Sequence, residues 1–467
     1  MILKQFYLAC LSHASYLVGD ESTGEAAIVD PQRDVDQYLK EAARRKLTIR
    51  HVILTHFHAD FISGHLELRR RTGATINLGA AAKTAYASRK LAEGDILSLG
   101  RVTLRVLETP GHTPEGICLV VSDAARKPRA VLTGDTLFIG DVGRPDLMAS
   151  VGVSAKTLAS QLYDSVHKLM TLPDDCLVYP AHGAGSLCGR NLSTETVSTI
   201  GAQRKFNPSL KPMTRSAFVS LVTAGQPEAP AYFSHDAKQN RLSRPTLEQA
   251  LARGARPLSL AQVRRRVRDG AQLLDTRDPA AFAAGHLPGS LNVGLGGKFA
   301  SFAGLLLKAA KPIVLIAEPG RERESALRLG RIGFDQLAGY LEGGVPAAHA
   351  AGAPLASFAR LSAGELRAAL ASQRRPLVLD VRTPAERAQS AIPGSLHIPL
   401  SSLETRLKGV PRRPLVVTCA GGYRSAMAVS LLLSRGRKQV CDLDGGMGAW
   451  TARPLERPKG TIACAAK

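Results

Sequence analysis

Six residues with metal-binding side chains stand in four short motifs: ThrHisPheHisAlaAsp at 55–60, ProGlyHis at 110–112, GlyAsp at 134–135 and ProAlaHis at 180–182. Imidazole and carboxylate donors suit zinc or non-haem iron. Two histidines with one carboxylate leave positions open for substrate, the facial arrangement of ferrous oxygenases. A second chemistry sits near the other end of the chain, where the strand-like PLVVT runs into Cys419 and on through AlaGlyGlyTyrArgSer (420–425) to the helical AMAVSLLLSR. Gly421 and Gly422 ahead of a helix start let several backbone N–H groups turn inward, and Arg424 beside Ser425 adds positive charge. Such a loop stabilises a thiolate and makes a sulfur nucleophile able to carry a persulfide.

Each metal-binding motif follows an apolar strand run, HVIL before 55 and AVLT and CLVY before 134 and 180, so four strand ends can converge on one sheet edge. Around them EAAIVD (25–30) and TIRHVILTH (48–56) read as strands, and DVDQYLKEAARRK (34–46) and GHLELRRRTG (64–73) as helices, which predicts α/β layering over about 1–200. Residues 202–257, with KFNPSLKPMT and AGQPEAPAYFSHDAKQNRLSRPT, read as a tail and linker rich in Pro, Ser and basic residues. Beyond it the chain repeats itself. QLLDTRDPAAFAAGHLPGSLNV (272–293) matches PLVLDVRTPAERAQSAIPGSLHI (376–398), and LEGGVPA (341–347) matches LDGGMGA (443–449). A period of about 100 residues is too long for a solenoid and predicts a duplicated domain with a parallel βαβ sheet in each copy. The first copy places Ala317 opposite Cys419 and continues AlaGluProGlyArgGluArgGlu (317–324), so it has no thiol to form a persulfide. It reads as a structural or docking copy. The predicted domains are 1–257, 258–355 and 356–467.

The 467 residues are 45% hydrophobic and 21% charged, which fits folded domains and excludes a disordered or collagen-like chain. Against 39 acidic residues stand 61 basic ones, a net charge of +22. Much of the surplus lies in strings such as RRR at 69–71 and 264–266, solvated faces rather than a nucleic-acid footprint, which would also want aromatic platforms or a reading motif. Seven scattered cysteines are not a secreted disulfide framework and fit a reducing cytoplasm. Of these, Cys188, close behind His182, is the one candidate persulfide acceptor near the metal motifs, with a structural role as the alternative. The N-terminus lacks a signal-peptide pattern, and no run reaches the roughly 18 apolar residues of a membrane span.

The motifs ThrHisPheHisAlaAspPhe (55–61), GDTLFIGDVGRPDL (134–147) and PAHGAGSLCGRN (180–191) resemble those of the metallo-β-lactamase superfamily, and within it the persulfide dioxygenases. The resemblance implies an αββα sandwich over about 1–200 with ferrous ligands His56, His112 and Asp135, and with His58, Asp60 and His182 orienting ligands or water. It also places Arg144 and Asp146 at the substrate entrance, Arg144 holding an anionic thiol tail. The superfamily motif ends in His where this chain has Phe61. That His binds the second metal of dinuclear hydrolases, so the departure speaks for one metal. The duplicated region resembles two rhodanese domains over about 258–456, with Cys419, Gly421, Gly422, Arg424 and Ser425 in the active loop of the second.

The expected architecture is α/β, a metallo-β-lactamase αββα sandwich followed by two rhodanese-like α/β domains with parallel sheets. The expected activity is a sulfide-detoxifying dioxygenase with one Fe(II) per chain rather than zinc. It oxidises a small thiol persulfide of the glutathione or coenzyme A type with O2 to sulfite, and Cys419 moves sulfur among persulfide, sulfite and thiosulfate. Tethering the sites raises their effective concentration for each other's products. No nucleic acid or membrane partner is expected, and a homo-oligomer is allowed. Two rival readings stand beside it: a zinc-dependent thioesterase of the glyoxalase II type with rhodanese appendages, and a non-catalytic sulfur-relay scaffold.

Overall fold

The period-two alternation of the first strands sorts their side chains onto two faces, and both faces are covered. In the computed structural model, which describes residues 1–147, 152–190, 192–226, 229–230 and 232–452, the first sheet has the order β1 (Ile2–Leu8), β2 (His13–Asp20), β3 (Glu25–Val29), β4 (Thr48–Leu54), β5 (Thr75–Gly79) and β6 (Arg89–Leu91). β1, β2 and β3 pair antiparallel, and β3 to β6 pair parallel. The second sheet is built from β7 (Ile96–Leu99), β8 (Val102–Glu108), β9 (Ile117–Ser122), β10 (Pro128–Gly134), β13 (Leu177–Pro180) and β14 (Ser198–Thr199), in spatial order β14-β13-β10-β9-β8-β7. A small hairpin of β11 (Leu137–Phe138) and β12 (Asp141–Val142) follows β10.

Between the sheets, Tyr16, Val18, Ala27, Val29 and Ile53 of the first meet Leu104, Val106, Leu119, Val121 and Leu132 of the second. The intervening residues point outward and are covered in turn. Leu17, Ile28 and Val52 pack on Tyr38 and Ala42 of the helix Asp36–Arg44, while Val120, Val131 and Val178 pack on Leu162 and Val166 of the helix Ala155–Leu169. Strands buried on both faces read as near-continuous apolar runs, which is why ICLVVS at β9 is buried throughout. This is the αββα sandwich.

Residues 202–257 are not the loose tail their composition predicts. They hold most of the helix Ile200–Phe206 and all of Arg215–Thr223, Tyr232–Gln239 and Leu247–Gly254. These helices are too short to display a clear 3.6-residue period, and side-chain caps and packing stabilise them instead. Thr214 accepts from Ala217 N, and Phe218 and Val222 are buried in the apolar layer of the helix Ala155–Leu169, the Phe218 ring edge-on to Tyr163.

The duplicated region forms two five-stranded parallel sheets of identical order. The first is β15 (Pro257–Leu258), β19 (Leu337–Leu341), β18 (Ile313–Ile316), β16 (Gln272–Asp275) and β17 (Leu291–Asn292). The second is β20 (Arg360–Leu361), β24 (Val440–Leu443), β23 (Leu415–Thr418), β21 (Leu377–Asp380) and β22 (Leu396–His397). The described residues divide into two compact units, one of 1–249 with 329–334 and one of 250–328 with 335–452. The six residues Leu329–Phe334 thus lie in the first rhodanese-like copy by sequence and in the first unit by packing. No helix among the described residues is long and apolar enough to cross a membrane.

Candidate metal centre and sulfur-transfer loop

β4 ends at Leu54, and the loop after it is pinned at once. Asp30, in left-handed backbone at φ 50° just past β3, accepts hydrogen bonds from Thr55 N and Thr55 Oγ1, both at 2.8 Å. The Thr55 hydroxyl has one hydrogen and gives it to Asp30, so its contact with His56 Nδ1 at 3.0 Å assigns the imidazole proton to Nδ1. The Nε2 lone pair of His56 is then free. His112 is set by the same logic, because its Nδ1 lies 2.8 Å from the Arg144 carbonyl, which can only accept. The two bare Nε2 atoms face one oxygen, with Asp135 Oδ2 3.7 Å from that of His56 and 3.5 Å from that of His112. Burial, joined by neighbouring His58, holds His56 well below the ordinary imidazole range, and burial likewise lowers His112. Burial opposes the charge of Asp135, but His182, His56 and His112 around it hold its carboxyl well below the usual range. Two neutral imidazoles and one carboxylate, with donor atoms all within 4.8 Å of one another, form a set that suits a divalent metal ion.

His58, Asp60 and His182 gather their donor atoms as closely, as do Asp135, His182 and Cys188. His182 is common to both groups; it hydrogen-bonds Asp135 through Nδ1, and its Nε2 lies at ion-pair distance from Asp60 without a hydrogen bond. Nδ1 lies 2.8 Å from Asp135 Oδ1, and Nε2 lies 3.0 Å from Asp60 Oδ2. Burial disfavours its charge, but Asp135 and Asp60 overcome that and raise His182 well above its ordinary value. Through its Nδ1 contact His182 orients Asp135. His58 Nε2 lies 3.1 Å from Asp30 Oδ1 without a hydrogen bond, its ring 4.1 Å from that of His56. Phe61 is fully buried, its ring 4.4 Å from that of His58 and 4.1 Å from that of His13.

Several residues of this centre escape a motif reading. His13 is wholly buried with neither ring nitrogen hydrogen-bonded, beside His58, Phe61 and His182. Its only sequence signal is a histidine inside the otherwise apolar LSHASYLVG. Asn240 staples the loop: its Nδ2 donates to the carbonyls of His58 and Phe61 at 2.8 Å each, and its Oδ1 accepts from Ser63 N at 2.9 Å. The loop's far side is tied to 329–334, where Ile62 N donates to Arg331 O at 2.7 Å and Arg331 pairs bidentately with Asp34.

Arg144 differs from its expected part as an anion clamp. Its guanidinium is buried, donates to both Asp146 oxygens at 2.8 and 2.7 Å, and reaches Leu187 O at 3.0 Å. A cation already paired at two residues' distance and closed off from solvent is a strut, and it serves the site through its own carbonyl on His112. Burial, then Asp60, pushes the thiol of Cys188 up to about 12, so it stays protonated at neutral pH.

In the second unit β23 delivers Cys419, only 1% exposed, to a tight loop ahead of the helix Tyr423–Ser434. Gly422 N donates to Cys419 Sγ at 3.1 Å. Gly422 has φ 90°, and a Cβ there would meet Arg360 Nη2 at 3.2 Å and Gly445 N at 3.3 Å, so glycine is required. Gly421 has open space at the same place and no such requirement. Ser425 Oγ, 3.7 Å from the sulfur, donates to Gly422 O and holds the turn closed. Arg424 does not present the free charge expected of it: it forms a bidentate pair with Glu386 at 2.5 and 2.8 Å. That pairing, against burial, lowers Glu386 to about 2. The corresponding strand of the first copy, β18, runs into Ala317.

Residues 8–182 match the metallo-beta-lactamase superfamily, and residues 259–351 and 362–453 each match the rhodanese-like domain. The mitochondrial persulfide dioxygenase ETHE1 of Homo sapiens is 35% identical over 216 residues, covering 45% of this chain and 76% of that protein. A hydroxyacylglutathione hydrolase of Rhodospirillum rubrum is 31% identical over 228 residues, covering 48% of this chain and 80% of that protein. Among solved structures, a metallo-beta-lactamase from Staphylococcus aureus superposes with a TM-score of 0.65 at 31% identity, over 73% of this chain and 98% of the other.

Proposed function

Because the chain belongs to the metallo-β-lactamase superfamily through residues 8–182 and carries two rhodanese-like domains behind them, we propose that it is a persulfide dioxygenase coupled to sulfur transfer. The carrying observation is the convergence of His56 Nε2, His112 Nε2 and Asp135 Oδ2, with a donor-free Phe61 where a second metal would need a ligand. One ferrous ion held there would supply the redox chemistry with O2 and the open positions for sulfur. The protein's own part is to fix the ligands. Thr55 and the Arg144 carbonyl set the tautomers of His56 and His112, and His182 turns Asp135 toward them. Near-complete burial of this set excludes bulk water.

One thiol persulfide, one O2 and one water give one thiol and one sulfite. In the second unit Cys419 takes the outer sulfur from a persulfide, releasing the thiol, and passes it to sulfite as thiosulfate, so each sulfur–sulfur bond broken is matched by one formed. The reading is supported by the likeness of 45% of the chain to a persulfide dioxygenase. The likeness to a hydroxyacylglutathione hydrolase marks the competing chemistry. Protein purified anaerobically should hold close to one iron per chain and consume O2 with glutathione persulfide. Zinc with no O2 uptake after ferrous reconstitution, or hydrolysis of a hydroxyacyl-glutathione thioester in its place, overturns the proposal.

A further inference from the structure

The loop that begins at Cys419 is not closed by its own copy alone. Tyr423, the first residue of the helix behind the loop, donates its Oη hydrogen toward two carbonyls of the cysteine-free copy, Gly294 O at 2.5 Å and Gly296 O at 2.8 Å. Its ring stands edge-on to Phe302, also of that copy, with centroids 5.7 Å apart. Seven residues along the same helix, two turns and so on the same face, Ser430 Oγ accepts from Asn292 N at 3.0 Å. The helix is therefore seated on β17 and the Gly294–Lys298 stretch at two points. The stretch is shaped for the phenol: a Cβ on Gly294 would meet the Tyr423 ring at 3.4 Å and Arg277 O at 3.1 Å.

The peptide joining Gly422 to Tyr423 links this docking to the chemistry. Gly422, with its left-handed φ of 90°, donates its N–H to Cys419 Sγ, and Tyr423 is the next residue, so anchoring the phenol fixes the far end of the turn that carries this N–H. A donor on the sulfur favours its thiolate, the form that attacks a sulfur–sulfur bond. We propose that the cysteine-free copy is a positioning element of the sulfur-transfer site, its Gly294 and Gly296 carbonyls holding Tyr423 and thereby the Gly422 N–H on Cys419 Sγ. Tyr423 is the positioning residue. The inference rests on the reading that Cys419 carries the sulfur.

The test uses the full chain and the Tyr423→Phe variant, which removes one oxygen and keeps the ring on Phe302. Alkylation of Cys419 by iodoacetamide, followed by mass spectrometry of its peptide, should slow at least fivefold at neutral pH, with its pH profile displaced to higher pH. Transfer of sulfur from thiosulfate to a thiol should fall at least fivefold, while O2 uptake with glutathione persulfide stays within twofold of the parent. An unmoved pH profile with transfer within twofold overturns the proposal. So does a Ser430→Ala variant that displaces the profile as far as Tyr423→Phe, since docking in general would then be the cause. Cys419→Ser separates the two levels: if it retains full sulfur transfer, the reading of Cys419 fails, whereas dependence on Cys419 with an indifferent Tyr423→Phe sinks the inference alone.

Discussion

The tautomers of the two candidate imidazole ligands, His56 and His112, are decided by single hydrogens. Thr55 gives its hydrogen to Asp30, so His56 must carry its proton on Nδ1 and turn a bare Nε2 toward His112 and Asp135, the candidate metal position. Asp30→Asn keeps the shape but replaces an acceptor-only group with one that also donates, which frees the Thr55 hydrogen to turn onto His56 Nδ1. The imidazole then protonates at Nε2, where the metal should sit. Loss of a partner of this kind costs about 10–100-fold in metal affinity, and chelator competition on the iron-loaded protein should read that loss. An affinity within twofold of the parent would remove the tautomer argument. The same residue holds Thr55 N and faces His58, so the variant should also soften the loop.

Elements at the rim of the centre are joined by buried ion pairs. Glu67, in the helix His65–Thr72, receives Arg33 at 3.1 Å, Arg244 at 2.6 Å and the backbone N–H of Leu247 at 3.1 Å. Burial opposes its charge, but Arg244 and Arg33 prevail and lower it from 4.5 to about 2. A depressed carboxylate contributes stability that is present above its unfolded value and lost as pH falls through its folded one. The melting temperature of the first unit should therefore decline between about pH 4.5 and about pH 2, and Glu67→Gln should flatten that part of the decline while lowering the plateau above it. Arg331 makes a more exposed link. Its pair with Asp34, both side chains partly buried, joins Leu329–Phe334 to the loop after β3, and pairs near the surface contribute up to about 1 kcal/mol. Arg331→Met should lower the same melting transition by a few degrees at most, and a far larger loss would mean that the segment carries more of the unit than this pair accounts for.

At the scale of the whole molecule, the proposed function makes the sulfite formed in one unit an acceptor for the other, so the products would report on the fusion. With glutathione persulfide and O2 the intact chain should accumulate thiosulfate. Cys419→Ser should accumulate sulfite at the same rate of O2 uptake, and thiosulfate from that variant in the parent's yield would detach the second unit from the pathway. The net charge of +22 has little to do with this traffic at the two sites. The two arginines expected to meet anions are committed internally, Arg144 to Asp146 and Arg424 to Glu386. Others form pairs at the surface, such as Arg215 with Asp164 and Arg435 with Glu404.

By itself the amino-acid sequence determined the chemistry available and the layers that carry it. His56, Asp60, His112, Asp135 and His182 stand beside apolar strand runs, and Cys419 stands between a strand and a glycine turn, so local pattern and residue type suffice to find them. The duplication was equally legible, because a repeat is a property of order along the chain. What only the tertiary structure decided is which of these groups are partners. His58 faces Asp30, His182 lies between two carboxylates, Asn240 reaches back to a loop about 180 residues earlier in the chain, and Tyr423 crosses to the copy without a cysteine. Hydrogen bonds and ion pairs act over about 3 Å in space, and spacing along a sequence has no fixed relation to that distance once the chain folds.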